Sequence, residues 1–433
     1  MPTHLKAIYD KILEMLQNLL KFKNIYWVLL IVILAFALRF LWLGLVPQIY
    51  FDEVNYLYDA LKYQKGLLFL ERESVSVPKH PLLSIIFMNY GMVLFGFNYL
   101  GWRIFSVIFG VLSIVAFYYL VKQLFSHRAA LIASFLLSID FLHIVLSRIA
   151  MVEIYFFAFL MFGFLFLARS LEHEKSEGLL LAGTFFGLAL ATKWIALLGI
   201  LSGFMIYLSA SSDPKKISKG LLRLILFPLF LFVLITLILN LSAGMNPLSW
   251  LQFEIRNFTY HQMFSYHHPF NTPAWTWPLD LRSTPFLGNR MGTDLNQFVI
   301  AFGNPAVYWL IIPVMLFLLY KYLKKNNHSL LFILIGFSGA YLPWLLYDYL
   351  SGIYHFASRG LFFYYFLPAI PFYLAGLAHL LDEMLNNNIG KYFAIIYLII
   401  VAGLFLYFSP ILYGFPISLE HLNNLIWSKG WTQ

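Results

Sequence analysis

Residues 25–46 read IYWVLLIVILAFALRFLWLGLV, an apolar run of 22 residues with a single charge, Arg39. About 20 consecutive apolar residues suffice for an α-helix to cross the hydrocarbon core of a bilayer. The run follows 24 residues of mixed charge, and no small-residue cleavage site comes after it. We therefore predict a retained signal anchor rather than a cleaved signal peptide.

Ten further apolar segments of about spanning length follow along the chain. We place them near residues 102–121, 128–146, 149–168, 178–192, 194–210, 221–241, 306–320, 329–347, 361–380 and 392–410. Backbone polar groups in lipid must be hydrogen-bonded within their own segment, which favours helices. The sequence therefore predicts an all-α, polytopic transmembrane bundle of about eleven spans, with residues 1–410 forming one transmembrane domain.

The composition excludes several classes of protein. Hydrophobic residues make up 61% of the chain and charged residues only 11%, so the apolar share is well above that of soluble domains. The sequence has no cysteine, which excludes disulfides, thiolate metal sites and cysteine nucleophiles. The net charge of +9 does not indicate nucleic-acid binding, because the basic residues lie mostly in short loops between apolar segments.

The placement of lysine and arginine predicts the orientation. If the ambiguous stretch 81–97 lies in the interface, the lysine clusters at 215–219 and 321–325 fall on the same side as the N-terminus, whereas a span at 81–97 would move both clusters to the other side. Because cytoplasmic loops are enriched in basic residues, the N-terminus is predicted inside and the C-terminus outside, with 411–433 as an external tail.

Two long loops, 47–101 and 241–305, then lie outside. Both are rich in aromatic residues, proline and histidine, a composition that favours ordered, functional loops carrying interfacial helices. The second loop contains Trp275 and Trp277, which suit interfacial anchors and also platforms for sugar rings. The spacing of its histidines, His268 among them, matches no recognised metal site. We predict no metal and no required cofactor, with a divalent metal as an alternative.

The first loop opens with adjacent carboxylates, Asp52 and Glu53. They are either solvated loop charges, or a general base and a partner that orients or binds an acceptor. Further ionisable residues lie at or near the predicted outer ends of helices: Arg103, Asp140, Arg148, Glu153 and Lys193. Charges at membrane depth tend to pair or to face a cavity. These cations either neutralise the carboxylates or hold a lipid phosphate, and both roles stay open.

A series of short motifs runs from about residue 50 to 375. The motifs are Asp52-Glu53, His80-Pro81-Leu82, Gly101-Trp102-Arg103, Ser147-Arg148-Ile149-Ala150, Lys193-Trp194, His268-Pro269-Phe270, Trp275-Thr276-Trp277-Pro278, Arg282, Leu342-Pro343-Trp344, Arg359 and Phe363-Tyr364-Tyr365-Phe366-Leu367-Pro368. Each is weak alone, but the ordered set resembles the protein O-mannosyltransferase family, which are GT-C type membrane enzymes that use polyprenyl-phosphate sugars.

The resemblance implies roles for single residues. Asp52 would be the base that deprotonates a Ser or Thr hydroxyl, and Glu53 would help to seat the acceptor. The candidates for contact with the lipid-linked phosphate are Arg148, Lys193, Arg103 and Arg359. Supporting or substrate-binding roles fall to His80, Asp140, Glu153, His268, Trp275 and Trp277.

The chain departs from the family pattern at three places. Leu82 replaces the second proline of a His-Pro-Pro pattern, Glu153 stands where the family usually has aspartate, and Asn271-Thr272 stands near a family serine. The second loop also lacks the soluble domain that eukaryotic members insert there. The missing domain indicates a prokaryotic enzyme and leaves its acceptor open. The orientation predicted from the basic residues then places the active site on the outside of the plasma membrane.

The expected reaction is an inverting transfer of a sugar, for which we expect mannose, from a polyprenyl-phosphate donor to Ser or Thr hydroxyls of proteins. A leaving phosphate needs cations more than a general acid, so one base suffices for a single displacement. The same fold and donor with a lipid A or cell-wall glycan acceptor stays an alternative, followed by a transporter or flippase. The polyprenol and the oligomeric state are left open.

Overall fold

The computed structural model describes residues 25–66, 80–173, 176–210, 213–263, 270–291, 295–354 and 360–431. They form a helical bundle with a small β-sheet at one end. The first helices are α1 (Ile25–Leu45), α2 (Glu53–Gln64), α3 (Leu83–Phe95), α4 (Tyr99–Leu124), α5 (His127–Ser138), α6 (Phe141–Ser147), α7 (Glu153–His173), α8 (Ser176–Leu190) and α9 (Ala196–Ser209). The others are α10 (Pro214–Leu221), α11 (Phe227–Ser242), α12 (Pro247–Met263), α13 (Pro305–Tyr308), α14 (Ile311–Lys325), α15 (His328–Tyr354), α16 (Ile370–Met384), α17 (Gly390–Tyr413) and α18 (Leu419–Leu425).

Eight of the described helices are long and apolar enough to cross a membrane. The pair α5 and α6, bent by 62°, is a ninth if it forms one span. Two shorter apolar helices, Glu177–Leu190 and Ala196–Ser209, occupy the predicted segments 178–192 and 194–210. All eleven predicted segments are therefore largely helical, but eleven crossings are not confirmed. The ambiguous stretch 81–97 contains α3, a helix of 13 residues.

The enclosed helices of the bundle are α7 and α16, whereas α1 and α11 lie at its edge. α7 packs mainly against α4 and α8. α3 crosses α4 at two glycines, where a Cβ atom on Gly91 would lie 2.1 Å from the carbonyl oxygen of Gly101. Small residues at such a crossing let two backbones approach closely. The crossing holds the first long loop against the bundle.

A three-stranded antiparallel sheet covers one end of the bundle. β1 (Thr284–Met291) and β2 (Leu295–Ala301) form a hairpin, and β3 (Ile417–Ser418) pairs with the start of β2. The predicted all-α fold is confirmed apart from this sheet, which the sequence did not indicate. β2 is buried on both faces, so it lacks the alternation that predicts a strand.

Residues 411–433, predicted as an external tail, contribute to the same layer. Trp431 is fully buried, and its indole Nε1 donates a hydrogen bond of 2.7 Å to the carbonyl of Asp280. The hydroxyl of Ser283 donates one of 2.6 Å to the carbonyl of Trp431. The described part of this segment is thus packed against the loop that precedes β1.

Candidate active site

Glu53, the first residue of α2, forms a closed ion pair with Arg103 of α4. Arg103 donates to both carboxylate oxygens, from Nε to Oε1 at 2.7 Å and from Nη2 to Oε2 at 2.8 Å. The backbone N–H of Ala150 also donates to Oε1 at 2.9 Å, and that of Tyr50 to Oε2 at 3.2 Å. Glu53 and Arg103 are both buried, so their charges are satisfied without water.

The remaining donors of Arg103 bind backbone carbonyls. Its Nη1 donates to Val46 at 2.5 Å and to Leu43 at 3.4 Å, and its Nη2 donates to Gln48 at 2.9 Å. A phosphate contact by Arg103, or an acceptor contact by Glu53, would require these hydrogen bonds to break. The contacts favour a different role, which is to hold the connection between α1 and α2.

Asp52 lies beside this pair and is only half-buried. It follows Phe51, whose φ of 52° lies in the left-handed region that is costly for a bulky residue. The Phe51 ring stacks on Phe286 of β1 with ring centroids 4.1 Å apart, which holds the backbone in this conformation. The side chain of Asn55 donates a 3.4 Å hydrogen bond to Asp52. The turn thus leaves Asp52 partly accessible while its neighbour Glu53 is sealed.

A second buried ion pair joins Lys193, between α8 and α9, to Glu153 at the start of α7. The Lys193 ammonium donates to Glu153 Oε1, and Oε2 has no hydrogen-bond partner among the described residues. Three aromatic rings surround the ammonium, with centroids 5.3 Å (Tyr365), 5.7 Å (Tyr364) and 6.0 Å (Phe156) from Nζ. Within the described chain Glu153 is the sole hydrogen-bond acceptor of this ammonium.

Aromatic side chains connect Asp52 to this second pair. Burial raises the pKa of the Tyr56 hydroxyl well above its usual value, and the nearby carboxylates of Glu153 and Asp52 raise it further. The Phe51 ring, next to Asp52 in the chain, also lies 6.3 Å from the ring of Tyr364, which is one of the rings around Lys193. The ring of His80 stacks at 6.1 Å from that of Tyr56. Predicted residues Asp52, His80, Glu153 and Lys193 are thus brought to one region.

The structure gives Arg148 a set of partners that the sequence did not suggest. Its Nη1 donates to the carbonyls of Arg39 and Leu41 at 2.7 Å each, and more weakly to Leu38 at 3.4 Å. Its Nη2 donates to the carbonyl of Trp42 at 2.8 Å. The predicted phosphate contact of Arg148 stays a prediction, and these hydrogen bonds place its guanidinium on the end of α1.

The other predicted residues lie in different environments. Asp140 is the N-cap of α6, its Oδ1 accepting a 2.8 Å hydrogen bond from the backbone of His143. Trp277 is fully buried and donates a 2.9 Å hydrogen bond to the carbonyl of Thr272, whereas Trp275 is exposed. The described residues contain no cluster of three or more metal-ligating side chains. Arg359 and His268 lie outside the described residues.

Two tyrosines of this region, Tyr364 and Tyr365, were not among the predicted site residues. Their signal was present in the Phe363–Pro368 motif, which contributed to the resemblance without a role of its own. Tyr56 was also missed, although a helix beginning at the acidic pair places it four residues after Asp52, on the same face.

The short connection between α6 and α7 joins both ion pairs. Arg148 reaches the end of α1, Ala150 donates to Glu53, and Glu153 binds Lys193. Six residues therefore couple the end of the first span, the acidic pair and the buried ammonium. What the arrangement offers chemically is an accessible carboxylate, Asp52, near a buried cation walled by aromatic rings.

Two family models match the chain. Residues 79–239 match a model described as dolichyl-phosphate-mannose-protein mannosyltransferase, and residues 248–431 match the C-terminal four-transmembrane region of protein O-mannosyltransferase. The two adjacent matches together cover most of the chain.

Similar proteins agree with these models. A polyprenol-phosphate-mannose–protein mannosyltransferase of Corynebacterium glutamicum is 25% identical, with 81% of each chain covered. One of Mycobacterium tuberculosis is 24% identical, with 93% of this chain and 91% of the relative covered. Among solved structures, the Saccharomyces cerevisiae Pmt1–Pmt2 complex bound to the sugar donor has a TM-score of 0.81 at 13% identity, covering 94% of this chain and 92% of that one.

A less similar fold is that of ArnT from Cupriavidus metallidurans bound to undecaprenyl phosphate, with a TM-score of 0.59 at 19% identity. The match covers 89% of this chain and 65% of ArnT. The predicted GT-C fold, the enzyme class and the family resemblance are confirmed. The chain is a membrane glycosyltransferase that belongs to the protein O-mannosyltransferase family.

Proposed function

We propose that this enzyme transfers mannose from a polyprenyl-phosphate donor to Ser or Thr hydroxyls of proteins, with inversion at the anomeric carbon. The observation that carries the proposal is the pairing of a partly accessible carboxylate, Asp52, with a buried ammonium, Lys193, whose single carboxylate partner leaves hydrogen-bonding capacity. The named activity of the corynebacterial and mycobacterial relatives supports the choice of donor and acceptor.

The step needs one base and one cation. Asp52 takes the proton of the acceptor hydroxyl while that oxygen forms a bond to the anomeric carbon. The bond between this carbon and the phosphate oxygen breaks on the opposite face, and its electron pair leaves with the lipid phosphate. Opposite faces for attack and departure give inversion. No general acid is needed, because the phosphate leaves as a stable anion.

Lys193 stabilises the charge that develops on the departing phosphate. Glu153 holds its ammonium in place, and the rings of Tyr364 and Tyr365 exclude water from one side of it. In such a water-poor surrounding an electrostatic contact is stronger than in bulk water. Before the reaction the carboxylate of Glu153 neutralises the lysine charge, which lowers the cost of keeping the ammonium buried at this position.

The site is proposed to face the outside of a prokaryotic plasma membrane, with the N-terminus in the cytoplasm. The lysine clusters at 215–219 and 321–325 support this orientation, because basic residues favour the cytoplasmic side. The corynebacterial and mycobacterial relatives match over most of the chain, which supports the prokaryotic assignment.

Transfer by purified protein tests the proposal. The protein is incubated in lipid nanodiscs with labelled polyprenyl-phosphate mannose and Ser/Thr peptides, and label on the peptide is expected. Asp52→Asn should lower kcat at least ~1,000-fold, in the range of general-base loss, while donor binding persists. A matched control is Asp213→Asn, at the N-cap of α10, because Asn caps a helix as well as Asp does.

Three outcomes contradict parts of the proposal. Near-normal turnover by Asp52→Asn would remove the base assignment. Label on a glycan or lipid instead of the peptide would favour the second acceptor class. Uptake of labelled donor into vesicles without bond formation would indicate a transporter.

A further inference from the structure

The end of α1 creates a demand for hydrogen-bond donors. The regular helix within α1 ends before a left-handed residue, Trp42 with φ of 56°, and a short 3-10 turn, Leu43–Leu45, forms the last part of α1. The last carbonyls of a helix have no partners within it, and they carry the negative end of the helix dipole. In or near lipid there is little water to satisfy them.

Arg148 satisfies this demand. Its guanidinium donates to the carbonyls of Arg39, Leu41 and Trp42 at 2.7–2.8 Å. The ring of Tyr413 lies beneath it, 4.3 Å from ring centroid to guanidinium carbon, and the Tyr413 hydroxyl donates 2.8 Å to a further α1 carbonyl. A cation at a helix C-terminus is favourable in itself. Arg148 is 6% exposed, so little of its surface remains for another ligand.

Other buried side chains form hydrogen bonds to the backbone between the end of α1 and Asp52. The amide of Gln297 in β2 donates 3.1 Å to the carbonyl of Leu45, and Arg103 binds the carbonyls up to Gln48. Only three residues separate Gln48 from Asp52. The connection that carries the base is therefore fixed along its length, beginning at Arg148.

We infer that Arg148 is a positioning residue, which caps α1 and thereby sets the place of Asp52, rather than a ligand of the donor phosphate. The inference rests on the proposed function in taking Asp52 as the base. Three of the five N–H donors of this guanidinium already bind α1 carbonyls, and the residue is almost fully buried, so a phosphate could reach at most the two remaining donors. A cap of this geometry suits the arginine fork, because its donors on two nitrogens span the three carbonyls, whereas the donors of an ammonium all lie on one nitrogen.

The kinetic test compares Arg148→Gln with Lys193→Gln in the transfer reaction. Arg148→Gln should lower kcat about 100-fold, the cost of a small misplacement of a catalytic group, while the KM for polyprenyl-phosphate mannose changes less than about 3-fold. Arg148→Lys should not restore kcat. A rise of donor KM of about 10-fold or more in Arg148→Gln, or full rescue by Arg148→Lys, would overturn the inference.

A spectroscopic test separates this inference from the assignment of the base. The chain has no cysteine, so spin labels on Val54→Cys and Leu419→Cys, both 57% exposed, report the distance from α2 to α18 without background. Arg148→Gln should broaden that distance distribution, whereas Asp52→Asn and Lys193→Gln should not. An unchanged distribution in Arg148→Gln would contradict the positioning role, whatever Asp52 proves to do.

If Arg148→Gln does not fold, a milder variant can test the same inference. Tyr413→Phe removes the hydroxyl that shares the α1 carbonyls and leaves Arg148 in place. It should give a smaller loss of kcat and a smaller broadening of the same distribution. A Tyr413→Phe protein with wild-type kcat and an unchanged distribution would count against the cap.

Discussion

The two ion pairs of the site are both buried, but they differ in how many of their hydrogen-bond donors and acceptors are used. Glu53 receives four hydrogen bonds, two of them from Arg103, whose remaining Nη donors bind backbone carbonyls. Glu153 has one oxygen without a partner among the described residues, and the ammonium of Lys193 has one acceptor. A saturated pair can only hold structure. A pair with spare donors and acceptors can bind substrate.

The residue types suit this division. The arginine guanidinium presents five donors in a fixed fork, which matches a carboxylate and several carbonyls at once. The lysine ammonium is a compact charge with three donors on one nitrogen, and among the described residues only Glu153 accepts a hydrogen bond from it. The comparison therefore predicts that substitutions in the closed pair, Glu53–Arg103, lower mainly the stability of the fold. Substitutions in the open pair, Glu153–Lys193, should lower mainly turnover.

Removing the cation of the closed pair should have the largest effect. Arg103→Leu leaves Glu53 as a buried charge without its partner, which costs about 3–5 kcal/mol. We expect little folded protein by size-exclusion chromatography in detergent, and a strongly lowered unfolding temperature in what remains. The double variant Glu53→Gln/Arg103→Leu removes the stranded charge and should recover part of the stability. Equal stability of Arg103→Leu and wild type would show that the pair is not closed.

Removing the cation of the open pair should affect turnover more than folding. Lys193→Met should lower kcat/KM for the donor about 100–1,000-fold, in the range for losing one preorganised electrostatic contact. The matched control is Lys321→Met, which breaks another Lys–Glu pair, with Glu383, near the C-terminal end of α14. The control should keep its turnover. Similar losses in both variants would mean that Lys193 is structural, as Arg103 is.

A third carboxylate, Glu254 of α12, is buried, and its oxygens have no hydrogen-bond partner among the described residues. Its pH dependence sharpens the comparison. Burial raises its pKa to about 7, partly opposed by the nearby indole of Trp250. The folded protein therefore holds this proton more tightly than the unfolded chain, so stability falls as pH rises from about 4.5 to 7. Glu254→Gln should raise the unfolding temperature by a few degrees at pH 8 and leave it unchanged at pH 4.

Thermal unfolding of wild type and Glu254→Gln at both pH values checks this expectation. Asp213→Asn serves again as a control at an exposed position, with no change expected at either pH. An equal fall in unfolding temperature between pH 4 and 8 in both Glu254→Gln and wild type would assign the pH dependence elsewhere.

Much of the helical framework was predictable because backbone N–H and C=O groups in lipid must form hydrogen bonds within their own apolar segment. The acidic pair was also identified from the sequence. The sequence does not show that Asp52 is accessible and Glu53 is not. That difference depends on Arg103 and Ala150, which lie 50 and 97 positions away from Glu53. The Phe363–Pro368 motif was likewise identified from the sequence, but the sequence does not show that Tyr364 packs beside Lys193.

The role of Arg148 was not predictable for a related reason. Near a membrane surface, an arginine beside an acidic motif indicates a phosphate ligand as readily as a helix cap. Only the distances to the α1 carbonyls separate the two roles. The strand β3 was missed because it has two residues and pairs with a strand more than 100 positions earlier, so no local sequence pattern predicts it.

The two helices that meet at Lys193 are short, with consequences for the surrounding lipid. α8 and α9 have 15 and 14 residues, which rise only about 22 Å, whereas the hydrocarbon core of a bilayer is about 30 Å thick. If both helices cross the membrane, a hydrophobic mismatch of this size favours thinning of the bilayer beside them. Such thinning would bring lipid headgroups closer to Lys193, and with them the phosphate of the proposed donor.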